Sequence, residues 1–165
     1  MIKMINKIEM FVDLLIPDTT AITAFHTLKN MGFKQLKKLK REDHYYFVAD
    51  DDFQKFSDKI GKVDILVNAN KNMYKTKLAG GKIKDEKADE LQTAHVLVQD
   101  IGDNASGTLN VLRHRLGFTQ IKEMKKGVFW TLYLKCNGKK EALEIAKQIA
   151  DSLLYNKHYQ ECKVL

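Results

Sequence analysis

Hydrophobic positions change period along this chain, and each change marks an element. From Lys7 to Ile16, the residues Ile8, Met10, Val12 and Leu14 alternate with Glu9, Phe11 and Asp13, the two-residue period of a strand. Pro17-Asp18-Thr19-Thr20 stops that strand and offers helix-capping oxygens. Ala21, Ala24, Phe25, Leu28 and Met31 then recur at three- and four-residue steps, one face of an amphipathic helix that Gly32 closes. Leu36 to Arg41 and His44 to Ala49 predict two strands joined by a turn at Glu42-Asp43. Asp50-Asp51-Asp52 predicts the cap of a second helix with Phe53, Phe56, Ile60 and Val63 on one face, and Tyr74 to Leu78 a closing strand.

The second half runs through the same order. His95 to Gln99 predicts a strand, and the polar loop Gly102 to Gly107 holds the cap candidates Asn104 and Ser106. A helix carrying Leu109, Leu112 and Leu116 ends at Gly117. Gln120 to Lys125 and Val128 to Lys135 predict a hairpin around Lys126-Gly127. A long helix with Ala142, Ile145, Ile149 and Leu153 follows, and Gln160 to Leu165 closes the chain.

The two halves also share residues. Met31-Gly32-Phe33-Lys34-Gln35-Leu36 lies 85 residues before Leu116-Gly117-Phe118-Thr119-Gln120-Ile121. A second anchor sets Val67-Asn68-Ala69-Asn70-Lys71 on Leu153-Leu154-Tyr155-Asn156-Lys157, which makes Asn70 the counterpart of Asn156. Two anchors at nearly one offset predict a tandem duplication. The expected fold class is α+β: two tandem ferredoxin-like (βαββαβ) units packed as a pseudo-dimer through their antiparallel sheets. The expected organisation is residues 1–78, a linker at 79–91 that opens with Ala79-Gly80-Gly81, and residues 92–165. Phe129, Thr131 and Tyr133 alternate with Trp130, Leu132 and Leu134, leaving neither side polar, so the sheet face away from the helices is expected to be covered.

Composition narrows the class. The hydrophobic share of 44% supports a packed core, and no apolar run approaches the ~20 residues of a membrane span. Cys136 and Cys162 form no CxxC and imply reduced thiols in a cytoplasmic protein. The net charge of +7 raises a nucleic-acid partner, but acids are interleaved with the lysines, as in Lys84-Asp85-Glu86-Lys87, so a lysine-rich surface accounts for it.

Candidate chemistry is sparse. His26, His44, His95, His114 and His158 do not cluster, and Asp50-Asp51-Asp52 lacks the glycine and glutamate of a calcium loop. Phosphate-binding glycine motifs and the nucleophile elbow have no counterpart in the chain. The expectation is no intrinsic catalysis, no metal and no cofactor. Lys126-Gly127-Val128-Phe129-Trp130-Thr131-Leu132-Tyr133 loosely echoes the aromatic strand on which RNA recognition motifs stack bases, with Val128 where an aromatic belongs.

Several of these residues resemble PurS, the small structural subunit of formylglycinamide ribonucleotide amidotransferase, a family about half as long as this chain. In the second half the likeness rests on Asn104-Ala105-Ser106-Gly107, Leu116-Gly117-Phe118, Lys126-Gly127 and Ala150-Asp151-Ser152-Leu153-Leu154-Tyr155-Asn156. In the first it rests on Asp18-Thr19-Thr20-Ala21, Phe25 to Phe33 and Asn70. The first half lacks the family's loop and hairpin glycines, and neither half has its proline after Asn70 or Asn156.

The resemblance implies a non-catalytic subunit of de novo purine biosynthesis. Such a subunit bridges a glutaminase to an ATP-dependent synthetase and assists ammonia transfer between them. It implies a partner interface in the second half around Gly107, Lys126, Gly127 and Asn156, with a homo-oligomer through sheet edges as a further expectation. Neither a membrane nor nucleic acid is expected as a partner. The alternative is a stand-alone ferredoxin-like binding module, regulatory or RNA-binding, with no purine role.

Overall fold

The structure is a computed structural model that describes residues 4–81, 83, 90–102 and 105–165. The chain runs β1 (Ile5–Leu14), α1 (Thr19–Asn30), β2 (Leu36–Asp50), α2 (Phe53–Ile60), β3 (Asn72–Leu78), β4 (Gln92–Asp100), α3 (Ser106–His114), β5 (Ile121–Leu134), α4 (Lys139–Ile149) and β6 (Gln160–Val164). A π-helical turn, Ala150–Leu154, continues α4. Among the described residues no helix is long and apolar enough to cross a membrane.

The expected pair of tandem ferredoxin-like units, each with its own sheet, is overturned. The strands form one six-stranded sheet in the order β3-β1-β2-β5-β4-β6. The error lies at the two expected hairpins. A two-residue hairpin turn needs positive φ in at least one central residue. Neither Glu42 and Asp43 nor Lys126 and Gly127 have it, so β2 runs unbroken for 15 residues and β5 for 14. A lone glycine flanked by strand-forming residues continues a strand as readily as it breaks one.

Two compact units draw on both halves of the sequence. The first contains β1, β2 from Asp43 on, α2, β3, α3 and β5 up to Gly127. The second contains α1, β2 up to Glu42, β4, β5 from Val128 on, α4 and β6. In the first unit Ile8, Met10 and Val12 of β1 pack with Phe47, Phe56 and Ile60, and α3 and the start of β5 add Leu112, Phe118 and Ile121. In the second, Ala21 and Leu28 of α1 pack with Val96, Trp130, Leu132, Ile145 and Ile149. Each unit therefore closes its core with the first helix of the opposite half.

One hydrogen bond in each unit marks this crossing. In the first unit the Asp50 N–H donates to the Gln120 carbonyl at 2.9 Å. In the second the Lys135 N–H donates to the Gln35 carbonyl, also at 2.9 Å. Lys135 follows Asp50 by 85 residues and Gln120 follows Gln35 by 85, so the two halves exchange the same contact. This is the reciprocity of an isologous dimer interface, here within one chain.

Local chemistry repeats at the helix ends. Gly32 and Gly117 take φ of 101° and 79°, left-handed values that glycine reaches without a steric penalty. The Phe33 N–H then closes back on Leu28 and the Phe118 N–H on Leu112. A cation secures the next strand in both places: Lys29 Nζ donates to the Leu36 carbonyl at 3.2 Å, and Arg113 Nε to the Ile121 carbonyl at 2.9 Å.

The turn before each closing strand is also shared, but its register corrects the alignment. The Asn70 N–H donates to Asn68 Oδ1 and the His158 N–H to Asn156 Oδ1, so the structural counterpart of Asn156 is Asn68, not Asn70. Of the expected linker at 79–91, residues 82 and 84–89 lie outside the described residues, as does the cap candidate Asn104.

Candidate functional site

The expected helix caps hold at Asp18 and Asp52, whereas Ser106 is the first residue of α3 rather than its cap, and Ala105 in the cap position offers no side-chain hydrogen bond. Asp18 Oδ1 accepts from the Thr20 and Ala21 N–H groups, and both its oxygens accept from Arg41, which fixes the start of α1 to β2. Asp52 Oδ2 accepts from the Lys55 N–H and caps α2. Asp50 takes the Met4 N–H and Asp51 the Gln120 side-chain amide, so the acidic triplet is used in capping and in joining the halves. Among the described residues no three His, Cys, Asp or Glu side chains are grouped to hold a metal ion.

A cluster of polar side chains lies on the face of the first unit's sheet turned away from its helices. Glu9 of β1 accepts from Lys77 Nζ of β3 at 2.6 Å and meets His44 Nε2 of β2 at 2.9 Å. His44 is 1% exposed, and its ring sits edge-on to Phe11, itself crossed by the Lys75 ammonium. Burial pushes the Glu9 carboxyl up, but the hydrogen bonds and attraction of His44 and Lys77 outweigh it and hold it below its ordinary value of 4.5. A general base must reach a substrate proton. His44 is closed off, so the group serves to tie β1, β2 and β3 together. In the second unit, His95 stacks on Phe129 with ring centroids 5.0 Å apart and meets Thr131 Oγ1 at 3.3 Å through Nδ1.

The four residues expected at a partner interface fall as follows. Gly107 is exposed in the first turn of α3, where a Cβ would meet nothing within 4 Å. Lys126 and Gly127 are half-buried within β5 rather than at a turn. Asn156 is exposed and shapes the turn before β6, in the second unit. A cleft of about 360 Å³ in the first unit is lined by Gly102, Ser106, Leu109, Lys122, Glu123 and Lys125 among others, so the chain neighbours of Gly107 and Lys126 meet there. Its rim is mixed in charge, with Lys125 Nζ 3.7 Å from Glu123 and 6.0 Å from the centre of the Tyr46 ring.

Two other clefts lie elsewhere. One of about 540 Å³ includes Asp50, Asp51, Lys59, Phe118 and Gln120 in its lining. One of about 420 Å³ includes Thr19, Thr23, Thr27, Trp130 and Leu154. The aromatic strand that echoes an RNA-binding motif is turned inward: Phe129, Trp130 and Tyr133 are 1%, 6% and 3% exposed, which leaves no ring face for a base.

Sequence reasoning missed two features that were present as signals. Leu36-Lys37-Lys38-Leu39-Lys40-Arg41 matches Ile121-Lys122-Glu123-Met124-Lys125-Lys126 in apolar spacing and in basic residues except where Glu123 stands against Lys38, which extends the repeat into the basic strands. Glu9 stands between Ile8 and Met10, and His44 directly before Tyr45-Tyr46-Phe47, polar side chains of opposite character beside apolar neighbours on two strands that can pair. No protein-family model matches the chain, and no curated protein matches it.

Proposed function

We propose that this chain is a non-catalytic bridging subunit, a cytoplasmic fused counterpart of the PurS-like dimer, which joins a glutaminase to an ATP-dependent synthetase and assists ammonia transfer. The observation that carries this reading is the reciprocal pair of cross-half hydrogen bonds, Asp50 to Gln120 and Lys135 to Gln35. A dimer-forming subunit duplicated in one chain would keep the contacts of its dimer as contacts between halves. It would hold them at the millimolar effective concentration, as a rough guide, that a short connection provides. The cleft beside Gly107 and Lys125 is the docking region on this reading.

The test is to add the purified chain to the glutaminase and synthetase subunits of a formylglycinamide ribonucleotide amidotransferase lacking its own small subunit. Binding to both and recovery of glutamine-dependent activity support the reading. A chain that ignores both subunits but binds RNA with a steep salt dependence returns the basic strands to a nucleic-acid role.

A further inference from the structure

The two ends of the sheet differ in what they offer to another strand. Among the described residues β6 is the last strand on its side and pairs only with β4. His95 and Leu165 exchange both backbone hydrogen bonds, at 3.0 and 2.8 Å. Antiparallel alternation then turns the N–H and C=O of residues 161 and 163 toward β4 and those of Cys162 and Val164 outward. The Gln160 N–H is taken by the Asn156 carbonyl at 2.7 Å, but the Gln160 carbonyl also faces out.

The side chains along this edge are self-complementary. Tyr159, Glu161, Lys163 and Leu165 share one face; Tyr159 is 69% and Leu165 49% exposed, and both charged residues are exposed. A second copy laid antiparallel with Cys162 opposite Cys162 sets Glu161 opposite Lys163 twice and Tyr159 opposite Leu165 twice. The Glu161–Lys163 pairs fall at non-hydrogen-bonded positions, where side chains come closest. The Cys162 N–H and C=O groups bond reciprocally, and each Val164 N–H meets a Gln160 carbonyl.

The opposite edge is built differently. The Leu15 N–H donates to the Lys71 carbonyl and the Ala79 N–H to the Lys7 carbonyl, so Tyr74 and Thr76 carry the outward groups of β3. Self-pairing about Thr76 sets Lys75 against Lys77, and self-pairing about Tyr74 sets Lys71 against Lys77. Lysines so placed keep an edge from pairing with its own kind.

We propose that β6 is a homodimerisation edge: two copies of this chain join antiparallel through Gln160–Val164, centred on Cys162, and continue the sheet across the twofold. The inference is independent of the bridging function. A single strand pair buries less than a standard interface of about 1,600 Å², so the dimer is weak and concentration-dependent.

Sedimentation equilibrium of the whole chain, from micromolar to submillimolar, tests it. The wild type forms a dimer and nothing larger. Glu161→Lys and Lys163→Glu, each alone, face like charges across the twofold and weaken association by about tenfold or more. An equimolar mixture of the two variants sets the paired lysines of one chain against the paired glutamates of the other and recovers a dimer. Both variants change exposed side chains, and circular dichroism verifies that each is folded. A wild type that stays monomeric overturns the proposal, as does a mixture that associates no better than its components. Mass that keeps rising past the dimer overturns it too, since it reports head-to-tail pairing of β6 with β3.

Discussion

Replacing Glu9 by Gln separates the buried ion group from the apolar packing around it. The substitution keeps shape and one acceptor but removes the charge that holds Lys77 at 2.6 Å and His44 at 2.9 Å. A hydrogen bond to a charged group contributes about 1.5–3 kcal/mol. Glu9 is 17% exposed, so solvent screens part of this, and the expected loss at neutral pH is about 2 kcal/mol. The pH dependence carries a definite sign. The Glu9 carboxyl lies below 4.5 in the fold, so the folded protein holds its proton less tightly than the unfolded chain. Its contribution is complete above 4.5 and declines as pH falls through the folded-state value. Urea unfolding of wild type and Glu9→Gln at neutral pH and near pH 3, about the acid end of the carboxylate range, measures both quantities. The gap between the two proteins should narrow on acidification. A gap under about 0.5 kcal/mol at neutral pH, or one that does not change near pH 3, refutes the reasoning.

Other outcomes follow from single sites. Gly117→Ala forces an alanine to φ 79° with open space around its Cβ, so its cost is conformational alone, about 1 kcal/mol in a chemical melt. Gly107→Ala, in the first turn of α3 with nothing near its Cβ, should leave stability unchanged or raise it by up to about 1 kcal/mol. A bulkier Gly107→Gln should weaken capture of the glutaminase and synthetase while the melt stays at the wild-type midpoint. Asp18→Ala loses both the α1 cap and the Arg41 pair and should cost about 1–2 kcal/mol by urea unfolding. Leu28→Ala and Leu112→Ala empty fully buried sites at equivalent places of the two halves and should each cost about 3 kcal/mol.

Elements were legible in this sequence where their signal is local. The capping Asp18 and Asp52, the closing Gly32 and Gly117 and the apolar faces of the helices all follow from spacing within a few residues. The connection between elements was not legible, because it turned on what the chain does at Glu42-Asp43 and Lys126-Gly127. Both sites follow charged strands and could bend or continue. Only pairing of each strand with the opposite half decides, and that contact lies 70 or more residues away, as with Asp50 and Gln120. The turn register was misread for a related reason: Asn68 and Asn70 are both candidates in sequence, and a side-chain bond to the residue two further on selects Asn68. The Glu9–His44–Lys77 group joins three strands, so no short window contained it. Of the interface residues implied by the family resemblance, Gly107 lies beside a cleft. Lys126 and Gly127 lost the turn that had singled them out.

The central claim is that each core is closed by the first helix of the opposite half. Phe56 of α2 and Phe118, just past α3, have ring centroids 6.3 Å apart, while Leu28 of α1 belongs to the other core. Nuclear Overhauser spectra of protein labelled at Phe and Leu measure this directly. Cross-peaks between the Phe56 and Phe118 rings are the predicted result; cross-peaks from Phe56 to Leu28 in their place, as two tandem units would give, would contradict it.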